Sequence, residues 1–295
     1  MMSNVLLLAF GSFFLYGVSW GVSPRSPGLS NKANFLPLMV GYSTVFIFVS
    51  FITNPGLEIP ELTSPLNINF SPSGWDAIEM GVFGALLIAS LPFFLLSQTR
   101  PTAVLGGTSL AGLVSLAAGL VFIATDSLWV MFFSFEFLLL SALYMLLLTS
   151  KSERVRDAAL EMFIWTLVGS AGLLTGLGLV GGPFVACTSP LRWNFVAALC
   201  FLVGFGVKVP LWPSTSWLLK AHVEASVEFS ILLSGYIVKV GVLGLYRTLL
   251  VAETPSLSLL TGALAVIGLF DAGSRLPAQR DLKRIVALTT VIEMN

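Results

Sequence analysis

Charge is scarce in this sequence. Only 10% of its 295 residues are Asp, Glu, Lys or Arg, and fifteen basic residues balance fifteen acidic ones. A soluble chain of this length needs a polar shell, which so few charges cannot supply when 56% of the residues are hydrophobic. The zero net charge leaves no basic footprint for nucleic acid. Histidine occurs once, at His222, and cysteine twice, at Cys187 and Cys200. That set carries no metal-ligand signature, and Cys200 sits within an apolar run, which argues against a disulfide. No Ser-His-Asp set and no paired catalytic carboxylates are present, so hydrolytic chemistry is excluded. Glycine-rich runs such as GGTSLAGLVSLAAG follow no strand, and so indicate close helix packing rather than a nucleotide site.

Long apolar runs are abundant. They lack the period-two alternation of a membrane barrel, so the class is an all-α polytopic membrane protein. Against the roughly 20 residues a bilayer requires, spans fall near 4–22, 35–53, 77–97, 102–123, 127–149, 158–182, 193–219, 226–250 and 256–274. A tenth begins near Leu282. The N-terminus lacks a basic n-region and reads as a first span rather than a cleaved signal. The stretch 54–75, rich in Pro, Ser and Asn, reads as the longest loop. Eleven Lys and Arg residues belong to the loops after odd-numbered spans. Only Arg192 and Arg247 belong to those after even-numbered ones. This positive-inside bias places the N-terminus outside.

Three charges fall in the middle of spans: Glu136, Lys208 and Lys239. A lysine at the bilayer centre costs about 2.5–3.5 kcal/mol on insertion scales. Both lysines are too central for easy snorkelling. Pro210 and Pro213 follow the first, and Gly241 and Gly244 follow the second. Helix breakers there suggest discontinuous helices that turn carbonyl groups into a cavity. Burial of an amine disfavours its charged form, and a nearby carboxylate opposes that effect. Movement of Glu136 relative to Lys208 would therefore decide whether the lysine holds a proton. A single structural interhelix bond is the plainer reading of Glu136. His222 and Glu224, in the segment AHVEAS between the two lysine spans, suit proton transfer or a polar helix end equally. Glu228, one turn beyond Glu224, is expected either to line the entry to Lys239 or to face solvent, with solvent favoured. The tryptophans fit interfacial anchoring, with Trp212 and Trp217 packing around the path instead.

These residues carry a resemblance. KVPLWPSTSWLLKAHVEA resembles the segment K-x-P-x-x-P-x-H-x-W-L-P-x-A-H-x-E-A-P of subunit 4 of respiratory NADH:ubiquinone oxidoreductase (complex I), an antiporter-like proton-pumping membrane subunit. DSLWVMFFSFE resembles that family's entry to its fifth helix, which ends in a functional glutamate. RVRDAALEMFIWTLVGS and QRDLKRIVALTTVIEMN resemble its sixth and tenth helices. The likeness covers about 125–295. Thr215 and Glu293 stand where the family has histidines, and Leu219 and Ser226 where it has prolines.

The resemblance implies an inverted-repeat antiporter-like fold. Three N-terminal helices and a long loop would occupy 1–101, a complete first five-helix repeat 102–250, and the start of a second repeat 251–295. It implies proton translocation through Glu136, Lys208, Lys239, His222 and Glu224, as part of a translocase and with no redox site in this chain. NAD, FMN, iron–sulfur clusters and ubiquinone would belong to partner subunits. The expected surroundings are other complex I membrane-arm subunits, membrane lipids and a separately encoded chain completing the C-terminal half. The expected location is the mitochondrial inner membrane, or alternatively a bacterial plasma membrane. A multisubunit Na⁺/H⁺ antiporter subunit, or a membrane-arm piece that no longer pumps, is the rival. Three geometric expectations follow. Glu136 and Lys208 approach within roughly 4–8 Å. The spans break within a turn of Lys208 and Lys239. A further chain packs against the last two spans.

Overall fold

The computed structural model describes residues 102–149, 152–180, 195–252 and 255–295, with parts of a helical stretch between 78 and 93. The first two expected spans, the loop 54–75, much of the third span, Cys187 and Arg192 lie outside the described residues. The elements are α1 (Thr102–Ala124), α2 (Leu128–Thr149), α3 (Glu153–Val180), α4 (Phe195–Lys208), α5 (Ser216–Glu224), α6 (Val227–Leu232), α7 (Val238–Ala252), α8 (Pro255–Arg275) and α9 (Leu282–Met294). A π turn, Leu233–Ile237, joins α6 to α7, and a 3-10 turn, Leu276–Ala278, follows α8.

Among the described residues, four helical stretches are long and apolar enough to cross a membrane: Leu128–Leu148, Glu153–Val180, Val227–Leu249 and Pro255–Ala278. Lipid offers the backbone no hydrogen-bond partners, so uninterrupted apolar sequence closes its own i→i−4 ladder. Helix α2 shows the resulting two-sidedness. Met131, Phe135, Leu138, Ala142 and Met145 are buried, whereas Phe133, Phe137, Leu140, Tyr144 and Leu147 face outward. Both sets recur every three or four residues, the helical period of one face. The outward stripe is as apolar as the inward one, as contact with lipid requires.

The core gathers where α1, α2, α4 and α7 meet. Phe135 lies 5.4 Å from both Phe122 and Phe205, ring centre to ring centre. Between α3 and α4 the backbones approach closely. A Cβ on Gly172 would lie 3.0 Å from the Cys200 carbonyl oxygen, and one on Gly169 would lie 3.0 Å from that of Gly204. Small residues at such crossings let helices pack without a hydrophobic drive.

Helix ends are capped locally and from afar. Ser152 Oγ accepts from the amide of Val155 at the start of α3, where Glu153 also suits the helix dipole. Ser226 Oγ accepts from the Phe229 amide at the start of α6. The serine therefore starts the helix where the resembling family has a proline. At the end of α5, Lys283 Nζ of α9 donates to the carbonyls of Val223 and Ala225.

Two expectations are corrected here. Arg247 is not a loop residue: it lies within α7 and is 8% exposed. Its guanidinium donates to the carbonyls of Phe122, Ile123 and Thr125, closing the open end of α1, and to Glu79. Glu228 does not face solvent; it is buried in the first turn of α6.

Candidate proton path

The first site forms where α2, α3 and α4 converge. Lys208 Nζ donates to Glu136 Oε1 at 2.6 Å. This is a direct pair, closer than the separation expected from sequence. Ser170 Oγ of α3 donates to the same carboxylate oxygen at 2.6 Å, and the Lys208 ammonium lies 4.5 Å from the centre of the Phe135 ring. The lysine side chain is 2% exposed and the glutamate 23%. Neither carries its charge alone, which offsets the cost of placing each in lipid. Ser170 was not among the expected site residues, although it closes the RVRDAALEMFIWTLVGS segment. Its preceding residue, Gly169, leaves room for the lysine: a Cβ there would sit 3.2 Å from Lys208 Cε.

Immediately after Lys208 the helix breaks, as the proline pair predicts. Pro210 has no amide hydrogen, and the amide of Leu211 reaches back to the Gly206 carbonyl instead of the usual partner. The loosened carbonyls acquire side-chain donors. Trp217 Nε1 donates to Val207 at 2.9 Å, and Ser214 Oγ to Leu211 at 2.7 Å. Asn295 Nδ2 donates to Pro210 at 3.3 Å. The chain then resumes as α5. His222 and Glu224 therefore lie in the second half of the broken span, at the end of α5, rather than between the two lysine spans. His222 is 1% exposed, with no hydrogen-bond partner for either ring nitrogen. Thr215, standing where the resembling family has a histidine, occupies the N-cap position of α5 without a side-chain cap bond.

The span of Lys239 does not break as expected. Helix α7 runs through Gly241 and Gly244 without interruption. A Cβ on Gly241 would lie 3.1 Å from Val209 Cγ2, and one on Gly244 would overlap the Phe205 ring. These glycines serve close packing against α4, not unwinding. The irregularity lies on the other side of the lysine, as the π turn 233–237. The Val238 amide bonds to Leu233 rather than Ser234. The Ser234 carbonyl, within the π turn, accepts from Lys239 Nζ at 3.0 Å. Lys239 also faces Glu293 of α9, with Nζ 3.5 Å from Oε1.

On the side of the basic loops a cavity of about 450 Å³ opens between α3, α5, α8 and α9. Its lining includes Arg154, Asp157, Lys220, Glu224 and Arg284, and Lys220 pairs with Glu161. Glu224 thus belongs to a charged mouth, whereas His222 lies inside the protein. Among the described residues no three His, Cys, Asp or Glu side chains gather as a metal site.

The described helices form a membrane-type bundle with a buried lysine–carboxylate pair beside a broken helix. Residues 125–295 match the family model described as "NADH:quinone oxidoreductase/Mrp antiporter, TM". The chain belongs to that family. It is similar to NADH-ubiquinone oxidoreductase chain 4 of Paramecium tetraurelia, 35% identical over 187 residues, which make up 60% of this chain and 39% of the relative. It therefore spans about two fifths of that relative's length. In fold it is similar to a subunit of respiratory complex I from Thermus thermophilus, with a TM-score of 0.73 at 18% identity, covering 100% of this chain and 62% of that one. A chain of the archaeal membrane-bound sulfane sulfur reductase gives 0.79 at 18% identity, covering 99% and 63%. These two likenesses extend the antiporter-like, all-α fold across the described helices.

Proposed function

We propose that this chain is a proton-translocating part of the membrane arm of an NADH:quinone oxidoreductase. The direct Glu136–Lys208 pair beside the helix break carries this reading. The lysine holds a proton while the carboxylate is against it. Separation of the two removes the opposing charge and favours release from the desolvated amine. Ser170 is placed to follow the carboxylate and keep it hydrogen-bonded. Lys239, His222 and Glu224 continue the route, Glu224 at the charged mouth and His222 inside. Redox energy comes from partner subunits, which hold NAD, FMN, iron–sulfur clusters and ubiquinone.

The same reading places the chain, multi-pass, in a mitochondrial inner membrane beside other membrane-arm subunits. The relative from Paramecium, a eukaryote, supports that setting. A neighbouring subunit of the membrane arm packs against α8. Helix α8 supports this, since Leu259 and Phe270 on it are 77% and 71% exposed. The test is proton uptake by sealed membrane vesicles energised with NADH, comparing wild type with Lys208→Met. Loss of pumping with assembly intact is expected. Pumping that persists when NADH is replaced by a sodium gradient would instead identify a secondary antiporter.

A further inference from the structure

Helix α5 is a nine-residue piece with a break at each end. The turn that holds Pro210 and Pro213 precedes it, and Ala225 after it is extended. The backbone ladder does not run on into α4 or α6, so side chains from other helices hold α5 in place. Trp217 Nε1 ties its first turn to the Val207 carbonyl. Lys283 of α9 ties its far end through the carbonyls of Val223 and Ala225. Between these two, Lys220 pairs with Glu161 of α3.

This third tie differs from the other two. The Lys220 and Glu161 side chains are 60% and 20% exposed, so water screens their attraction and the bond is weak. Lys220 also has a second seat. Glu224 lies four residues further along the same helix face, within reach of the ammonium, and both residues line the cavity of about 450 Å³. Neither Glu224 nor Asp157, the other acid of the lining, has an ion-pair partner among the described residues. Arg275 and Arg284 of the same lining are held by Asp271 and Asp281.

The pair stands at the inner end of that cavity. On α3 the lining stops at Ala158, one turn short of Glu161. On α5 it stops at Leu219, and beyond it Leu218 and Trp217 are fully buried. Deeper along α3, about 14 Å of helix past Glu161, Ser170 Oγ bonds to Glu136 and to the Thr166 carbonyl. From the basic-loop side the order is cavity, Lys220–Glu161 pair, then Ser170 with Glu136 and Lys208.

We propose that the Lys220–Glu161 pair is a gate between the cavity and the Glu136–Lys208 site. With Lys220 on Glu161, α5 is held against α3 and the cavity is shut at its inner end. With Lys220 on Glu224 the tie is released, α5 rolls about its contacts at Trp217 and Lys283, and water reaches Ser170. The pair itself carries no proton, and both groups keep their charges in either seat. The proposal rests on the proton-translocation reading above.

The test uses the assembled complex in sealed vesicles whose basic-loop side faces the medium, with Cys187→Ser and Cys200→Ser as background. A Ser170→Cys thiol reports water access, read as its protection by silver ion against alkylation after denaturation. Loss of a closing contact raises the open population by its Boltzmann factor. Glu161→Gln should therefore speed silver binding about two- to fivefold, the scale of an exposed ion pair. Exchanging the charges, Glu161→Lys with Lys220→Glu, should restore the slow rate. An unchanged rate in Glu161→Gln, or a fast rate in the exchanged pair, would overturn the gate.

A second arm locks the gate in the same background with Ser170 intact. Glu161→Cys with Lys220→Cys, bridged by a short bis-thiosulfonate, should lose NADH-driven proton uptake by this path and regain it on reduction, while neither single cysteine variant responds. Glu136→Gln is measured alongside. If it abolishes that uptake while the bridged variant pumps normally, only the gate fails. If Glu136→Gln leaves uptake unchanged, the translocation reading fails and the gate loses its role with it.

Discussion

Arg247 and Glu79 are joined across the bundle, Nη2 to Oε1 at 2.5 Å, by a guanidinium that also closes the end of α1. The arginine side chain is 9% exposed and the glutamate 13%. Removing one member of a buried pair typically costs about 3–5 kcal/mol. Arg247→Ala should therefore lower the thermal stability and the assembled amount of the chain. Arg247→Lys should recover only part, because an ammonium cannot span the carboxylate and three carbonyls with a planar fork. Melting of the detergent-purified assembly measures both.

Asp126 lies in the short turn between α1 and α2, outside the helices. Burial pushes its carboxyl above the usual carboxylate range; Arg247 works against that shift and Glu79 works with it. A raised native value means the folded state holds the proton more tightly than the unfolded one. Stability contributed by that proton is present at low pH and is lost as pH rises from the ordinary value of 3.8 through the raised one. Asp126→Asn should flatten stability across that window and stabilise the protein at neutral pH. Unfolding midpoints between pH 4 and 7 provide the check.

Tyr236, within the π turn, lays its ring on Gly119 of α1, and a Cβ at that glycine would overlap the hydroxyl. The hydroxyl is buried with no hydrogen-bond partner in the structure. Gly119→Ala should destabilise by about 1–3 kcal/mol through overpacking. Tyr236→Phe should be neutral or stabilising, because it removes an unpaired buried polar group. The unfolding midpoint should fall in Gly119→Ala and hold or rise in Tyr236→Phe.

Trp217 and Trp212 flank the same break but differ in work. Trp217 is 3% exposed and donates to the Val207 carbonyl; Trp212 is 40% exposed. Trp217→Phe leaves a buried acceptor with one donor fewer, costing about 1–3 kcal/mol, whereas Trp212→Phe should change little. Equal effects in a denaturation series would show that the break is not held by that indole.

Hydropathy and loop charge made the helices legible, because lipid imposes one simple rule on the backbone. The break after Lys208 was legible for a similar reason: a proline without an amide hydrogen cannot be hidden. The regularity of α7 was not. Gly241 reads as a helix breaker in isolation, yet here it serves the approach of Val209 and Phe135. The π turn before Lys239 has no sequence marker of its own. Ser170 and Glu293 were overlooked as site residues for another reason. A serine or a helix-end glutamate is common, and only tertiary packing brings these two to Glu136 and Lys239. Arg247 misled because a basic residue near a span end looks like a loop residue, whereas its carbonyl partners lie more than a hundred residues away in the chain.

The central claim is that Glu136 and Lys208 move protons rather than merely hold helices together. NADH-driven proton uptake into sealed vesicles should be compared for wild type, Glu136→Gln and Lys208→Met, with assembled complex quantified in each. The expected result is normal assembly with uptake by this path lost in both variants. Wild-type uptake in either variant, with the complex intact, would contradict the claim.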